Sequence, residues 1–158
     1  MNSSLRNEVL GPIAVSIAFV MELTLVPLLL PIIQSDLDLT IGQLAWVFNS
    51  YGVFVALGVL LGGWLGDTFN TDRIFAFGVL LFAAGSSLVA YSPSFEMLTI
   101  GRAVQGLGGG IFSPLVPILL TRASPKRPGK MLIVWGSVVG YIASMAPIFY
   151  TGVLKTHG

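Results

Sequence analysis

LTIGQLAWVFNSYGVFVALGVLLGGWLG, residues 39–66, runs for 28 positions without an Asp, Glu, Lys, Arg or His. A helix needs about 20 apolar residues to cross the hydrocarbon of a bilayer, so this stretch is long enough to span one. Three more stretches are equally free of charge: 74–95, 103–121 and 131–154, of 22, 19 and 24 residues. The charges that remain are bunched between them. Of the 158 residues, 54% are hydrophobic and 9% charged, where a soluble domain carries about 25% charged residues. So few polar side chains cannot cover a globule in water, which excludes a water-soluble enzyme. The sequence predicts an all-α polytopic membrane protein. Helices are expected because backbone facing lipid must satisfy its own hydrogen bonds, and barrel strands would alternate polar and apolar residues.

Five spans are expected in a single partial bundle over residues 1–158: about 11–33, 44–66, 74–90, 96–121 and 131–154. Asp36 and Asp38 mark the first loop, DTFNTDR (67–73) the second, Tyr91-Ser-Pro-Ser the third and RASPKRPGK (122–130) the fourth. The first apolar stretch is no cleavable signal: it contains Glu22, exceeds 20 residues and is followed by further spans. Arg6, Arg73, Arg122, Lys126, Arg127 and Lys130 fall on one side of the membrane. Only Lys155 falls on the other, with Asp36, Asp38 and Glu96. Basic loops stay inside, so the N-terminus is expected in the cytoplasm and the C-terminus outside, in the cell (plasma or inner) membrane. A net charge of +1 offers no field for nucleic acid. There are no cysteines, and the one histidine is His157, so no metal site, cofactor or catalytic triad is expected.

Glycines recur at a spacing of four: Gly58/Gly62/Gly66, Gly106/Gly110 and Gly136/Gly140. In lipid this spacing lets helix backbones approach closely, and tight packing is the expected role. GLGGG (106–110) lacks both GxGxxG and a following GK[ST], which excludes a nucleotide loop.

Glu22 lies about 16 Å into the first span at 1.5 Å per residue, near the bilayer centre. An ionised carboxylate there costs about 2.5–3.5 kcal/mol. Such a group faces a cavity, finds a partner or holds its proton. Burial favours the protonated acid and a nearby cation the ionised one, so a carboxyl moved between those surroundings carries a proton. The alternative is a structural hydrogen-bonding group in the bundle. Arg102, about 9 Å below the outer surface, is the natural partner, always charged and so able to supply a fixed charge; its alternative is snorkelling to that surface. Gln105 is one turn further on the same face. Asp67 and Arg73 flank the second loop, where they can pair or cap helix dipoles, and Gly63 one turn earlier permits close contact; solvated loop charges would look the same. Pro27, Pro31, Pro114, Pro117 and Pro147 each remove a backbone hydrogen bond within a span, for a moving bend or a static kink.

Together these residues resemble the drug:proton antiporters of the major facilitator superfamily, in particular the branch with fourteen spans. Glu22-Leu-Thr24-Leu-Val26-Pro-Leu-Leu-Leu30-Pro31 is similar to that branch's D-x-T-I-V-N-V-A-L-P. Trp46 and Tyr51 match its W-x4-Y. Gly63-x3-Asp67-x5-Arg73 resembles the loop motif G-x3-D-R-x-G-R-R-R. Arg102-Ala-Val-Gln105-Gly106-Leu-Gly108, followed by Pro114, resembles R-x2-Q-G-x-G. Gly136-x3-Gly140 and Ala146-Pro147 resemble the fifth-helix motif ending G-P-x2-G-G. The departures are Glu22 for Asp, Pro27 for Asn, Thr68, Asn70, Thr71 and Asp72 in the loop, Ala146 for Gly, and Tyr150-Thr151 for a glycine pair.

The resemblance implies the N-terminal half of a facilitator fold and proton-coupled export of small amphipathic compounds. Glu22 would exchange the proton and Arg102 tune it, with Thr24 and Gln105 as polar groups of the cavity. Gly63, Asp67 and Arg73 would gate the cytoplasmic side. Gly106, Gly108, Pro114, Gly136, Gly140 and Pro147 would pack or bend helices. Its partners would be lipid, protons, the small-molecule substrate and a second transmembrane half, since family members have 12 or 14 spans in two halves. The chain is thus expected to be a piece of a longer transporter or to pair with another chain. The rival expectation is a non-transporting remnant or a membrane interaction subunit.

Overall fold

In the computed structural model, residues 3–157 are described in backbone and residues 8–145, 147 and 148 in side chain. Six helices follow one another: α1 (Ser3–Asp36), α2 (Ile41–Thr68), α3 (Thr71–Ala90), α4 (Phe95–Phe112), α5 (Leu115–Ala123) and α6 (Pro128–His157). Among the described residues there is no strand. Four segments are long and apolar enough to cross a membrane: Glu8–Asp36, Ile41–Thr68, Thr71–Ala90 and Phe95–Ala123. The last of these is α4 and α5 together. The end of the expected fifth span, 149–154, lies outside the residues whose side chains are described.

Each short connection is built by local chemistry. Asp38 takes φ 48°, the left-handed conformation that commonly follows a helix end. There the Leu39 amide donates to Gln34 O at 3.0 Å, and Gln34 Nε2 donates to Leu39 O at 3.2 Å. Thr40 then starts α2 with a reciprocal cap: the Gln43 amide donates to Thr40 Oγ1, and the Thr40 amide donates to Gln43 Oε1. Asn70 caps α3 by accepting from the Arg73 amide, and Ser94 caps α4 by accepting from the Met97 amide. Each cap satisfies an amide that a helix start leaves orphaned.

The break between α4 and α5 falls at Ser113-Pro114. Pro114 has no amide to give Gly110 O. The Ser113 hydroxyl donates to that carbonyl instead, at 3.2 Å.

The chain divides into two compact units, Pro31–Val116 and Met1–Leu30 with Pro117–Gly158. In the first, α4 packs along both α2 and α3, which barely touch each other. Glycines make this possible. A Cβ on Gly58 would stand 2.5 Å from Leu107 O, and one on Gly62 2.7 Å from Ile111 Cα. From the α4 side, Gly106 meets Tyr51 O, Gly108 meets Phe82 of α3, and Gly110 meets Val55 O and Gly58. Phe112 is fully buried and meets Phe75 and Phe82 edge-on, at 6.1 and 5.6 Å. A cluster of Leu39, Val47 and Leu98, with Ile33, Leu44, Val89 and Phe95 around it, closes one end. The opposite face of α2 carries Trp46, Val53, Leu60 and Trp64, all more than half exposed.

In the second unit Trp135 Nε1 of α6 donates to Ser16 Oγ of α1 at 3.0 Å, and Ser16 Oγ donates to Pro12 O at 2.8 Å. Ser16 is buried.

Candidate functional site

A spanning helix rarely buries an arginine, because desolvating a cation must be compensated by hydrogen bonds or opposite charge. Arg102 of α4 is 2% exposed. Its Nη1 donates to Gln105 Oε1 at 2.8 Å, one turn along the same helix. The other end of that amide reaches α3, where Gln105 Nε2 donates to Ser86 Oγ at 2.8 Å. From α2, the Tyr51 ring lies against the guanidinium, with Cζ 4.0 Å from the ring centroid. Gln105 and Tyr51 are buried as deeply as Arg102, at 1% and 4% exposed. A cation in low dielectric gains more from a ring face and a carbonyl than it would in water. Helices α2, α3 and α4 thus each contribute to one polar cluster in the core of this unit.

Two small residues bring the helices this close. A Cβ on Gly85 would collide with the Gln105 backbone, and one on Gly106 would stand 2.5 Å from Tyr51 O. Gly85 precedes Ser86 and Gly106 follows Gln105, so the closest backbone approaches are also where the polar groups meet. Sequence reasoning missed Ser86. Its signal was a small polar pair, Ser86-Ser87, inside a charge-free span.

The other candidate residues stand as follows. Glu22 is half-buried on α1, between exposed Met21 and Leu23. Thr24 turns its hydroxyl back to its own helix, donating to Val20 O at 2.9 Å and to Met21 O at 3.1 Å. Glu22 and Thr24 belong to the unit of residues 1–30 and 117–158, Arg102 and Gln105 to the other. Asp67 and Arg73 are both exposed, and among the described residues their side chains form no ion pair with each other. The Arg73 amide is held by the Asn70 cap. Nothing described comes within 4 Å of where a Gly63 Cβ would be, and the same holds for Gly136 and Gly140 of α6, whereas Gly106 and Gly108 are closely packed. Pro114 sits at the break after α4, and Pro147 inside α6 is exposed. Among the described residues no three His, Cys, Asp or Glu side chains gather to ligate a metal.

Long apolar helices around a buried arginine cluster define a polytopic membrane protein with a polar group held deep in its core. Residues 13–158 match the family pattern described as Major Facilitator Superfamily, and the chain belongs to that family as an integral membrane protein. It is 33% identical over 147 residues to Multidrug resistance protein 3 of Bacillus subtilis, covering 92% of this chain and 28% of that protein. It is 32% identical over 149 residues to the Tetracenomycin C resistance and export protein of Streptomyces glaucescens, covering 92% and 27%. To the Multidrug export protein EmrB of Haemophilus influenzae it is 32% identical over 145 residues, covering 89% and 28%. The chain therefore spans just over a quarter of the length of these relatives.

Proposed function

We propose that the chain serves in proton-coupled export of small amphipathic compounds, as the N-terminal part of a drug:proton antiporter. The observation that carries this reading is the buried Arg102 cluster, in a family whose similar members are named for drug resistance and export. Glu22 exchanges the proton, Arg102 supplies a fixed charge, and Asp67 with Arg73 gates the cytoplasmic side. The N-terminus lies in the cytoplasm and the protein in the cell membrane, by the distribution of Lys and Arg. The chain does no chemistry on its substrate. Alternating access rocks one half of such a transporter against another around a midplane site, so a second transmembrane half is the required partner.

The test is drug flux in proteoliposomes under an imposed pH gradient, with the complementary half supplied. Glu22→Gln mimics the protonated acid and cannot release a proton, so it abolishes gradient-driven export while substrate binding survives. Normal export by Glu22→Gln down the same gradient refutes the proton-carrier role. The second reading, a remnant or interaction subunit that moves nothing, is favoured by the loop residues Thr68, Asn70, Thr71 and Asp72 where the antiporter motif carries basic residues and a glycine. Absence of flux with every complementary half supports it.

A further inference from the structure

The Gln105 side chain has two unlike ends, and only its carbonyl can accept from a guanidinium. Its Oε1 faces Arg102 Nη1 and its Nε2 faces Ser86 Oγ, both at 2.8 Å. Turned about its last torsion, the amide would set NH2 against a guanidinium that has only donors. The guanidinium thus selects the orientation seen, and Ser86 anchors the far end of the amide against any swing of the side chain by accepting from its NH2. Tyr51 fixes what remains. A ring face with its centroid 4.0 Å from Cζ attracts the cation without drawing on its N–H groups.

We propose that Ser86 and Tyr51 are positioning residues for the Arg102 guanidinium, Ser86 acting through the Gln105 amide from α3 and Tyr51 directly from α2. The glycine contacts make the arrangement geometric. With Gly85 set against the Gln105 backbone and Gly106 against Tyr51 O, the hydroxyl and the ring are delivered by helices that approach nearly backbone to backbone. The charge of Arg102 is therefore placed by three helices at once, and its position reports theirs. The consequence for transport rests on the antiporter reading; the placement does not.

The test uses the 158-residue chain, labelled with 15N-arginine, in nanodiscs of phosphatidylethanolamine and phosphatidylglycerol. The chain has five arginines, and Arg102→Lys assigns the signals of Arg102. In the parent protein the guanidinium rotates slowly and its Nη signals are resolved. Ser86→Ala removes one oxygen without adding bulk. It raises the Arg102 rotation rate about two- to tenfold, the scale of one lost hydrogen bond between neutral groups, and leaves the other four arginines unchanged. Tyr51→Leu does the same, while Tyr51→Phe, which keeps the ring, does not. Ser86→Thr, which keeps the hydroxyl, retains the slow rotation. Unchanged Arg102 signals in both Ser86→Ala and Tyr51→Leu overturn the proposal, as does equal loosening by Ser86→Ala and Ser86→Thr. Should Ser86→Ala fail to fold, Tyr51→Leu against Tyr51→Phe reads the same signals. These signals require no transport, so a complete transporter that fails to export while its Arg102 stays fixed refutes the antiporter reading and leaves this one standing.

Discussion

Gly62 and Gly63 are neighbours in sequence and opposites in packing. A Cβ on Gly62 would stand 2.7 Å from Ile111 Cα and 2.8 Å from Ile111 C, while one on Gly63 meets nothing within 4 Å among the described residues. Ordinary van der Waals contact begins at 3.4 Å and Ile111 O stands closer still than its Cα, so Gly62→Ala forces α2 and α4 apart by at least about 0.7 Å. A gap of that size forfeits about a quarter to a half of each dispersion contact along the crossing. The obstacle is backbone, which cannot swing aside as a side chain can. The cost therefore falls at the upper end of overpacking penalties, about 3 kcal/mol. Alanine returns about 1 kcal/mol through its helix propensity, leaving a net loss of about 2 kcal/mol. Gly63→Ala receives the propensity gain alone, about 1 kcal/mol of added stability. The measurement is reversible unfolding of the purified chain in mixed micelles by increasing SDS, followed by tryptophan fluorescence. Equal shifts for the two variants, in either direction, would refute the claim that α2 and α4 touch along the Gly62 face.

Further outcomes are expected. Single cysteines placed at Ser35 and Ser124 of this cysteine-free chain should react and stay unreacted, respectively, with an impermeant thiol reagent on intact cells; the reverse pattern would overturn the orientation. Asp38→Val should cost about 1–2 kcal/mol, because a β-branched side chain at φ 48° clashes with its own backbone, whereas Asp38→Gly should be neutral or slightly stabilising. The same unfolding titration decides this, and equal losses would show that the loop does not depend on that φ. Trp135→Phe should lower stability by about 0.5–1.5 kcal/mol through the hydrogen bond to Ser16, and Trp135→Phe combined with Ser16→Ala should cost less than the sum of the two; strict additivity would mean the bond carries no coupling.

Much of the fold was legible because lipid punishes charge so heavily. The 28 residues from Leu39 to Gly66 have no reading in water that buries them all, so the fold class follows from where charges are missing. Glycine spacing carried less. Gly58 and Gly62 recur every four residues and face α4, and Gly136 and Gly140 recur in the same way with nothing described beside them. Period says which face a residue occupies and is silent on what stands opposite. Gly63, quoted in a loop motif, is open for the same reason. The break at Ser113-Pro114 was marked by its proline, while the serine that satisfies Gly110 O has no signature of its own. In the site, spacing of three residues sets Gln105 beside Arg102. Ser86 reaches Gln105 across 19 positions of sequence and a helix pair, and no local pattern encodes that.

The glycine contacts also constrain how this part of the molecule can move. Packed helices with side chains between them can slide past one another in small steps, as shear motions do. Here α2, α3 and α4 meet backbone to backbone at Gly58, Gly62, Gly85, Gly106, Gly108 and Gly110. A slide of one residue, about 1.5 Å along the axis, would turn Cβ-bearing residues into spaces that hold none. Shear is thereby locked out within residues 31–116, and the three helices travel as one rigid piece. Bending is left to the break after α4, where Pro114 has no amide to give Gly110 O.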